Sequence, residues 1–306
     1  MKQLVILSGK GGTGKTTVAA ALAHLASQEA PIVMADADVD AANLELVLDP
    51  RQVEAHDFTG GSVALIDPEA CTACGRCAEV CRFEAVADAG SVYCVEPSAC
   101  EGCAACVYQC PADAICMVPQ HAGHWFRSST CFGPLFHAHL FAGQENSGKL
   151  VTLVKQQARL LALDAGAALL LVDGPPGIGC PVISATAGAD VALHVVEPTV
   201  SGVHDLERIM ATTDHFGVPS LVLVNKADLN LARSDAIGDF CAERGVPLVG
   251  RVPYDTVVTE AMVRGQPVTA YADGPVTAAL RSVWERIREL TQLQPGSALP
   301  GEEERP

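Results

Sequence analysis

The sequence predicts an α/β fold with a mostly parallel sheet, interrupted by a small cysteine-rich insertion. Short, continuously apolar runs recur along the chain with helical patterns between them, at 3–8, 31–35, 169–172, 191–196 and 221–224. Strands that are apolar throughout are buried on both faces, which is typical of a parallel sheet covered by helices. A glycine-rich loop directly after the first run and two regularly spaced cysteine clusters complete the prediction.

Charge and hydropathy exclude several classes of partner. With 36 acidic and 20 basic side chains the formal net charge is −16, a surface that repels phosphate backbones, so we expect no nucleic-acid partner. The sequence has no run of 18 apolar residues that would predict a membrane span, and we expect no membrane partner. The N-terminus enters the first strand at once and leaves no room for a signal peptide, which predicts a cytoplasmic protein.

The glycine-rich loop fits the pattern of a phosphate-binding loop. It lies between the first strand and an alanine-rich helix at 16–27, and its glycines let backbone N–H groups curl around phosphates. The pattern predicts that Lys15 reaches the β- and γ-phosphates and that Thr16 ligates Mg²⁺. The predicted nucleotide-binding residues here are Gly9, Gly11, Gly12, Thr13, Gly14, Lys15, Thr16 and Thr17.

With Lys10 at its second position, the loop resembles that of the deviant Walker A family. This family includes MinD, ParA, Mrp-type iron–sulfur carriers and nitrogenase iron protein. The resemblance covers residues 1–60 and 145–290 and implies a P-loop NTPase domain that hydrolyses ATP. It also implies that Lys10 reaches across a nucleotide-sandwich dimer, formed by two copies of this chain or by this chain and a paralogue.

Further segments stand at the positions that this family leads us to expect. The second strand ends in Ala35-Asp36-Ala37-Asp38, and Asp173 opens a segment resembling Walker B and switch II. The resemblance implies that Asp38 positions the attacking water, that Thr16, Asp38 and Asp173 are magnesium residues, and that the catalytic residues are Lys10, Lys15, Asp38 and Asp173. Asn225 and the loop at Pro253 are expected to frame adenine. Because Asn225-Lys226-Ala227-Asp228 alone equally suggests guanine, the preference for ATP rests on Lys10 and the family.

Eight cysteines have the spacing of a bacterial ferredoxin that binds two [4Fe–4S] clusters. The repeats are Cys71-x₂-Cys74-x₂-Cys77-x₃-Cys81 and Cys100-x₂-Cys103-x₂-Cys106-x₃-Cys110, starting 29 residues apart. In this pattern three thiolates of each run hold one cluster and the fourth serves the other. The predicted sets are Cys71, Cys74, Cys77 and Cys110 for the first cluster, and Cys81, Cys100, Cys103 and Cys106 for the second. Zinc is the alternative metal.

The predicted domain map is a P-loop ATPase domain at 1–60 and 120–293, a small α+β ferredoxin-like domain inserted at 61–119, and a disordered acidic tail at 294–306. In the first repeat Arg82 stands where a proline usually follows the fourth cysteine. Proline there stiffens a turn but ligates nothing, so both clusters are still expected.

The remaining cysteines divide into three groups. Their apolar or helical surroundings predict that Cys94, Cys116 and Cys241 are buried in the core. Cys131, His137 and His139 form a set that can ligate a metal, although structural histidines are the commoner case. Cys180 lies seven residues after Asp173, the offset of a bridging-cluster cysteine in nitrogenase iron protein, so a ligand at a dimer interface and a packing residue are the two interpretations.

Three functions compete on these features. The resemblance favours an ATPase that assembles or carries metal clusters, working with a small metal-cofactor scaffold or redox protein. An ATP-gated electron donor resembling nitrogenase iron protein is the alternative. A ParA- or MinD-type positioning role needs a basic patch or membrane helix, whereas the stripe Leu280, Trp284, Ile287 and Leu290 of the last helix, 276–293, is predicted to pack on its own core.

Overall fold

The apolar runs of the sequence form buried strands, and most segments between them form helices. The computed structural model describes residues 1–143 and 146–293, so the predicted acidic tail at 294–306 lies outside the described residues. The strands are Lys2–Ser8 (β1), Ile32–Asp36 (β2), Arg51–Ile66 (β3), Val86–Asp88 (β4), Tyr93–Val95 (β5), Ile115–Thr130 (β6), Gly133–Leu140 (β7), Leu169–Pro176 (β8), Val191–Val196 (β9), Ser220–Asn225 (β10) and Leu248–Val252 (β11). The helices are Lys15–Ser27 (α1), Leu44–Leu48 (α2), Arg76–Val80 (α3), Ala105–Gln109 (α4), Ser147–Asp164 (α5), Cys180–Thr186 (α6), Gly202–His215 (α7), Leu231–Glu243 (α8), Val257–Val263 (α9), Val268–Tyr271 (α10) and Pro275–Thr291 (α11).

The main sheet is mostly parallel, as predicted. Among the described residues its strand order is β11-β10-β9-β1-β8-β2-β7-β6-β3. β1 lies between β8 and β9 and is parallel to both, with Leu4 opposite Leu171 on one side and Val191 on the other. The parallel pairing continues from β9 through β10 to β11 and from β8 through β2 to β7. The carboxyl ends of β1, β2 and β8 therefore meet at one edge of the sheet, where ligands of such folds bind.

Helix α1 explains the alanine-rich pattern after the glycine loop. Five consecutive residues of α1, Ala19 to Ala23, are fully buried, because this helix packs against the sheet on one face and against other helices around it. Small side chains permit that close approach. At the C-terminal helix α11 the predicted stripe is confirmed for Leu280, Trp284 and Ile287, but Leu290 is 42% exposed near the helix end. No described helix is long and apolar enough to cross a membrane.

The described chain forms two compact units. The first comprises Met1–Ala55, Trp125–His139 and the described residues from Ser147 onward, and the second comprises His56–His124 and the described residues of 140–146. The second unit contains α3, α4 and the antiparallel pair β4–β5. Strands β3 and β6 pass without interruption through residues 60 and 120, where the sequence predicts domain boundaries. The separate ferredoxin-like domain at 61–119 stays a prediction.

Candidate nucleotide site and cysteine cavities

The glycine-rich loop joins β1 to α1 and is held by residues far away in sequence. Gly12 and Gly14 have φ of 80° and 86°, in the left-handed region that glycine adopts without strain. A Cβ on Gly14 would lie 2.3 Å from Asn225 Nδ2, and one on Gly9 would lie 2.5 Å from the backbone oxygen of Asp205. The glycines are therefore required by close neighbours as well as by the turn itself.

Lys15 lies at the start of α1 among acidic groups. Its Nζ lies 3.3 Å from Asp173 Oδ1 and 3.7 Å from Asp38 Oδ2. Burial disfavours the charged form of Lys15, but Asp173, Asp38 and Asp36 together raise its pKa above the usual value. A buried ammonium group whose charged form is favoured is suited, at this place, to neutralising phosphate oxygens.

Asp36 is a site residue that the sequence reasoning missed. It is fully buried at the end of β2, and its carboxylate accepts the backbone N–H groups of Asp38 at 3.0 Å, Asn43 at 3.1 Å and Leu44 at 3.0 Å. Burial and the nearby carboxylate of Asp173 raise the pKa of Asp36. These three bonds fix the loop that carries Asp38, so Asp36 acts as a positioning residue. The signal in the sequence was an acid at the end of an apolar strand.

Asp173 has the donor chemistry that a magnesium ion requires. It lies fully buried in β8, one carboxylate oxygen faces Lys15, and the other, Oδ2, has no hydrogen-bond partner among the described residues. A buried carboxylate oxygen without a partner is costly unless a cation or water satisfies it. Thr16 and Asp38 line the adjoining cleft, so the three predicted magnesium residues fit a hard, oxygen-ligated cation.

A cleft of about 490 Å³ opens beside the phosphate loop, large enough for a nucleotide. The predicted residues Gly11, Gly12, Thr13, Gly14, Lys15, Thr16, Thr17, Asn225 and Pro253 line it, whereas Gly9 does not. Asn225 Nδ2 donates to the carbonyl oxygen of Thr13 at 2.8 Å, so this side chain also holds the phosphate loop. Asp228 accepts the backbone N–H of Tyr254 at 2.7 Å and so shapes the loop after Pro253.

Lys10 lies folded back on its own chain. Its Nζ donates to Thr199 Oγ1 at 2.9 Å and lies 3.9 Å from Glu197 Oε2, with about a third of the side chain exposed. Glu197 also pairs with Lys226, which donates to the carbonyl oxygen of Gly12 at 3.2 Å. Glu197 thus contacts two lysines beside the phosphate loop.

In the second unit the cysteine repeats line two cavities. One cavity is lined by Cys71, Cys74, Cys77 and Cys110, together with apolar residues that include Ile66 and Ile115. The other is lined by Cys81, Cys100, Cys103 and Cys106, together with apolar residues that include Val86 and Val95. All eight thiols are free. The fourth cysteine of each run thus lines the cavity of the other run, which is the predicted division of the ligands.

The thiols of these cavities suit a multivalent metal group. Burial raises the pKa of Cys77 and of Cys106, and two neighbouring thiols of the same run raise each pKa further. Several thiolates can share such a cavity only beside a cation, which offsets their repulsion. The backbone N–H of Ala114 donates to Cys110 Sγ at 3.3 Å, a contact typical of a thiolate ligand.

The two repeats share an unusual backbone. Left-handed residues occur at three positions of the first repeat and recur 29 residues later in the second. Both short helices, α3 and α4, begin directly after the second of these positions. A left-handed non-glycine residue costs about 1–2 kcal/mol, and such strain is retained where a site requires it. The three pairs are Ala73 with Gly102, Gly75 with Ala104, and Glu84 with Asp113.

Of the three cysteines predicted to lie in the core, one is buried and two are exposed. Cys241 is buried as predicted, and burial raises its pKa to about 11. Cys94 and Cys116 are exposed, so the prediction that they belong to the core is wrong. Cys94 lies on the two-stranded β4–β5 pair and Cys116 on the long strand β6, where alternate side chains point away from the core despite their apolar neighbours.

Cys180 is exposed and is the first residue of helix α6. Its Cβ would lie 3.4 Å from a Cβ placed on Gly148. The far end of the same helix is held by Lys155 of α5. Its ammonium group donates to the carbonyl oxygens of Ser184, of Ala185 at 3.2 Å and of Ala187 at 2.6 Å. Burial, with a smaller effect of Arg159, lowers the pKa of Lys155 to about 8. A cation at a helix C-terminus is favourable because it meets unpaired carbonyl groups.

Of the predicted set Cys131, His137 and His139, only the histidines come together. Cys131 is exposed in the turn between β6 and β7. Glu45 of α2 joins the two histidines, and its carboxylate lies 2.9 Å from His137 Nδ1 and 3.1 Å from His139 Nε2. Glu45 comes from before the insertion, 92 residues from His137, and no local pattern indicated it.

Comparison with known proteins agrees with this architecture. Residues 4–268 match the model of the CobQ/CobB/MinD/ParA nucleotide-binding domain. An uncharacterized protein of Methanocaldococcus jannaschii is 32% identical over 288 residues, covering 94% of this chain and 97% of the relative. An iron–sulfur cluster carrier protein of Pyrococcus horikoshii is 23% identical over 300 residues, covering 93% of this chain and 85% of that one.

Among solved structures, the septum site-determining protein MinD of Pyrococcus horikoshii, complexed with Mg-ADP, shares the fold. It is 20% identical with a TM-score of 0.60, and the match covers 94% of this chain and 96% of that one. The matched range spans most of the chain and includes the phosphate loop and the carboxylates behind it. The chain therefore belongs to the CobQ/CobB/MinD/ParA family of nucleotide-binding proteins.

Proposed function

We propose that this chain is an ATP-hydrolysing iron–sulfur protein that couples nucleotide-driven dimer closure to the assembly or transfer of a metal cluster. The observation that carries the proposal is the presence, in one chain, of a phosphate loop and of two cavities lined by four cysteines each. The first feature indicates a nucleotide as fuel, and the second indicates metal–sulfur chemistry as the task.

The nucleotide half of the proposal is supported by charge placement. Lys15 faces the cleft, and Asp173 has a buried oxygen free for a cation. Mg²⁺, when bound, would offset phosphate charge with the help of Thr16 and Asp173. Asp38, held by Asp36, is the residue we assign to orienting the attacking water. The relative solved with Mg-ADP supports adenine as the base.

The metal half is supported by donor chemistry. Each cavity offers four thiols among apolar side chains, a set that suits iron–sulfur clusters or zinc. Two Cys-x₂-Cys-x₂-Cys-x₃-Cys runs that exchange their fourth cysteine have the ligand pattern of two-cluster ferredoxins, which favours a pair of [4Fe–4S] clusters over zinc. Such clusters, when bound, would supply one-electron chemistry and structural support. The relative named as an iron–sulfur cluster carrier supports a carrier role.

Lys10 and Cys180 are the two residues that we assign to the interface of the closed dimer. We assign Lys10 to the phosphates of a second subunit, which it would reach after leaving Thr199 and Glu197. Cys180 is exposed at the start of α6, so two copies related by a two-fold axis could hold a cluster between them as cargo. The partner that receives the cargo is then a small metal-cofactor scaffold protein.

An ATP-gated electron donor is the second candidate. The exchanged cysteine pattern favours it, because the same arrangement serves electron transfer in two-cluster ferredoxins. In that case the resident clusters would pass electrons to a redox partner, and Cys180 would be a packing residue. The family also includes MinD- and ParA-type proteins, so the experiment must separate a positioning role as well.

The test uses protein purified without oxygen. We expect about eight irons per chain and ATP-dependent transfer of a cluster from the loaded dimer to an apo-acceptor. Cys180→Ser should keep the iron and the ATPase activity but lose transfer, whereas Cys131→Ser, another exposed cysteine outside the repeats, should behave as wild type.

Each other outcome identifies a rival. Zinc in place of iron would contradict the cluster assignment. Wild-type transfer by Cys180→Ser, with ATP-dependent reduction of a redox protein, would favour the electron donor. ATP-dependent binding to anionic vesicles or DNA by protein that lacks iron would favour a positioning role.

A further inference from the structure

His137 and His139 lie two residues apart on strand β7, a spacing that places both side chains on the same face of the strand. Glu45, on the short helix α2, extends its carboxylate to both of them. The His137 side chain is buried, Glu45 is largely buried and His139 is half exposed. This arrangement gives a cluster with a buried floor and one open side, which belongs wholly to the first unit.

The contact between His137 and Glu45 is close but is not a hydrogen bond. His137 Nδ1 lies 2.9 Å from Glu45 Oε2, yet this buried nitrogen has no hydrogen-bond partner among the described residues. A buried ring nitrogen that lies so close to a carboxylate oxygen without a proton in line between them remains unsatisfied. A cation between them would satisfy both atoms.

The opposite side of His137 is already fixed. Its Nε2 lies 2.9 Å from the hydroxyl oxygen of Ser128, which is itself buried. Histidines that bind a metal typically donate their second ring N–H to such an acceptor, which leaves the other nitrogen free for the ion. The Phe126 ring is stacked on His137 at 5.1 Å and meets the edge of His139 at 5.6 Å, which limits the orientations of both imidazoles.

We propose that Glu45, His137 and His139 bind one divalent first-row transition cation of the zinc class. The ligand atoms would be a Glu45 carboxylate oxygen, His137 Nδ1 and His139 Nε2, and these atoms all lie within 4.8 Å of one another. Two imidazoles and one carboxylate suit zinc or iron(II) rather than calcium or magnesium. The exposed side at His139 leaves room for water or another small ligand in the remaining coordination positions.

A second group, Asp57, His121 and His124 in the second unit, has similar composition but weaker support. Asp57 is mostly exposed, and His121 Nε2 lies 2.9 Å from the carbonyl oxygen of Gly123. A carbonyl accepts a hydrogen bond, so that nitrogen carries a proton and has no lone pair for a metal. In the Glu45 group, by contrast, the nitrogen that faces the carboxylate, His137 Nδ1, has no hydrogen-bond partner among the described residues.

The site has a structural consequence for the nucleotide cleft. Helix α2 begins directly after the loop that Asp36 holds, and Leu46, next to Glu45, lines the cleft. A cation shared by Glu45 and the two histidines would tie α2 to β7, and so would fix the helix that carries Leu46. This inference is independent of the proposed iron–sulfur clusters.

The test uses the full chain with its iron retained, dialysed against Zn²⁺ without oxygen. Zinc per chain is measured, and zinc K-edge X-ray absorption distinguishes nitrogen and oxygen ligands from sulfur. We expect one zinc with a nitrogen–oxygen shell in wild type. Glu45→Gln and His139→Ala should weaken its binding at least about 100-fold, by loss of a direct ligand. His215→Ala, which removes a histidine of α7 outside the cluster, should bind zinc as wild type does.

His139 is chosen over the buried His137 because its half-exposed side chain is not needed for folding, which far-UV circular dichroism would verify. Unchanged nitrogen–oxygen zinc in His139→Ala would overturn the proposal, as would zinc bound only by sulfur in wild type. Loss of that zinc in Asp57→Asn but not in Glu45→Gln would assign it to the other group and would equally overturn the proposal.

Discussion

The phosphate loop and the cysteine repeats both prepare a place for a charged ligand, but they are built in opposite ways. Gly9 and Gly14 are fitted against Asp205 and Asn225, which lie about two hundred residues away in sequence. The cysteine cavities are built almost entirely from the segment 71–115. The first site is thus a product of the whole fold, and the second is a product of local spacing.

The cores behind the two sites differ in the same sense. The phosphate loop stands on a large apolar core that includes β1, α1, β8 and β9, whose central residues are fully buried. In the second unit, Ala64, Ile66, Ile115 and Cys77 form a core cluster, with four further cysteines packed against it. A core made partly of cysteines that hold the proposed metal would be incomplete without it, whereas the nucleotide site is formed before the nucleotide arrives.

Removal of the metal should therefore give the largest effect, and it tests the comparison directly. Chelation under oxidising conditions should unfold the second unit, since structural metal sites supply on the order of 10 kcal/mol of folding free energy. Limited proteolysis should then cut within 56–124, while nucleotide binding by the first unit persists. Protection of 56–124 in metal-free protein would show that its small core suffices alone.

Lys15→Ala should have the next largest effect. It removes the buried cation that faces the phosphates and leaves Asp36, Asp38 and Asp173 without their shared counter-charge. We expect ATP turnover to fall about 1000-fold, the upper range for loss of one stabilising group. Steady-state phosphate release measures this effect. Lys149→Ala, an exposed lysine on α5, is the control and should match wild type.

Lys10→Ala should separate nucleotide binding from dimerisation. Because the Lys10 ammonium group contacts Thr199 and Glu197 and not the cleft, its loss should leave nucleotide affinity nearly unchanged. Turnover should fall about 100-fold, because the variant no longer supplies charge across a dimer. Size-exclusion chromatography with ATP should show monomers, whereas Asp38→Ala should accumulate as the ATP-bound dimer. A monomeric Lys10→Ala protein with wild-type turnover would contradict the sandwich dimer.

Lys155→Met should have the smallest effect. It tests whether contacts within the first unit hold helix α6 in place without a ligand. The substitution keeps an apolar chain of similar length but leaves three carbonyl groups at the end of α6 without their donor. We expect a loss of about 1–3 kcal/mol in the free energy of unfolding, measured by urea denaturation. Arg286→Met, in an exposed ion pair on α11, should cost less than about 1 kcal/mol. Equal losses would mean that Lys155 does not support α6.

The sequence predicts local features of this protein well and long-range ones poorly. The phosphate loop and the cysteine sets depend on short spacings, so the residue pattern alone is enough to predict which of these residues line the same cavity. Glu45 and Asp36 escape such a pattern, because their roles depend on a histidine across the insertion and on backbone groups of a folded loop. The prediction fails for Cys94 and Cys116 because apolar neighbours indicate burial only where a strand is covered on both faces.

The exchange of Cys81 and Cys110 between the cavities bears on how this region can change in evolution. Each run supplies three cysteines to its own cavity and its fourth cysteine to the other, so the two runs depend on each other. A substitution at one cysteine affects one cavity, but a one-residue insertion or deletion inside either run shifts ligands of both. We therefore expect the 29-residue repeat to be retained or lost as a whole, and length variation to accumulate outside the two cysteine runs, as in the turn at Gly90.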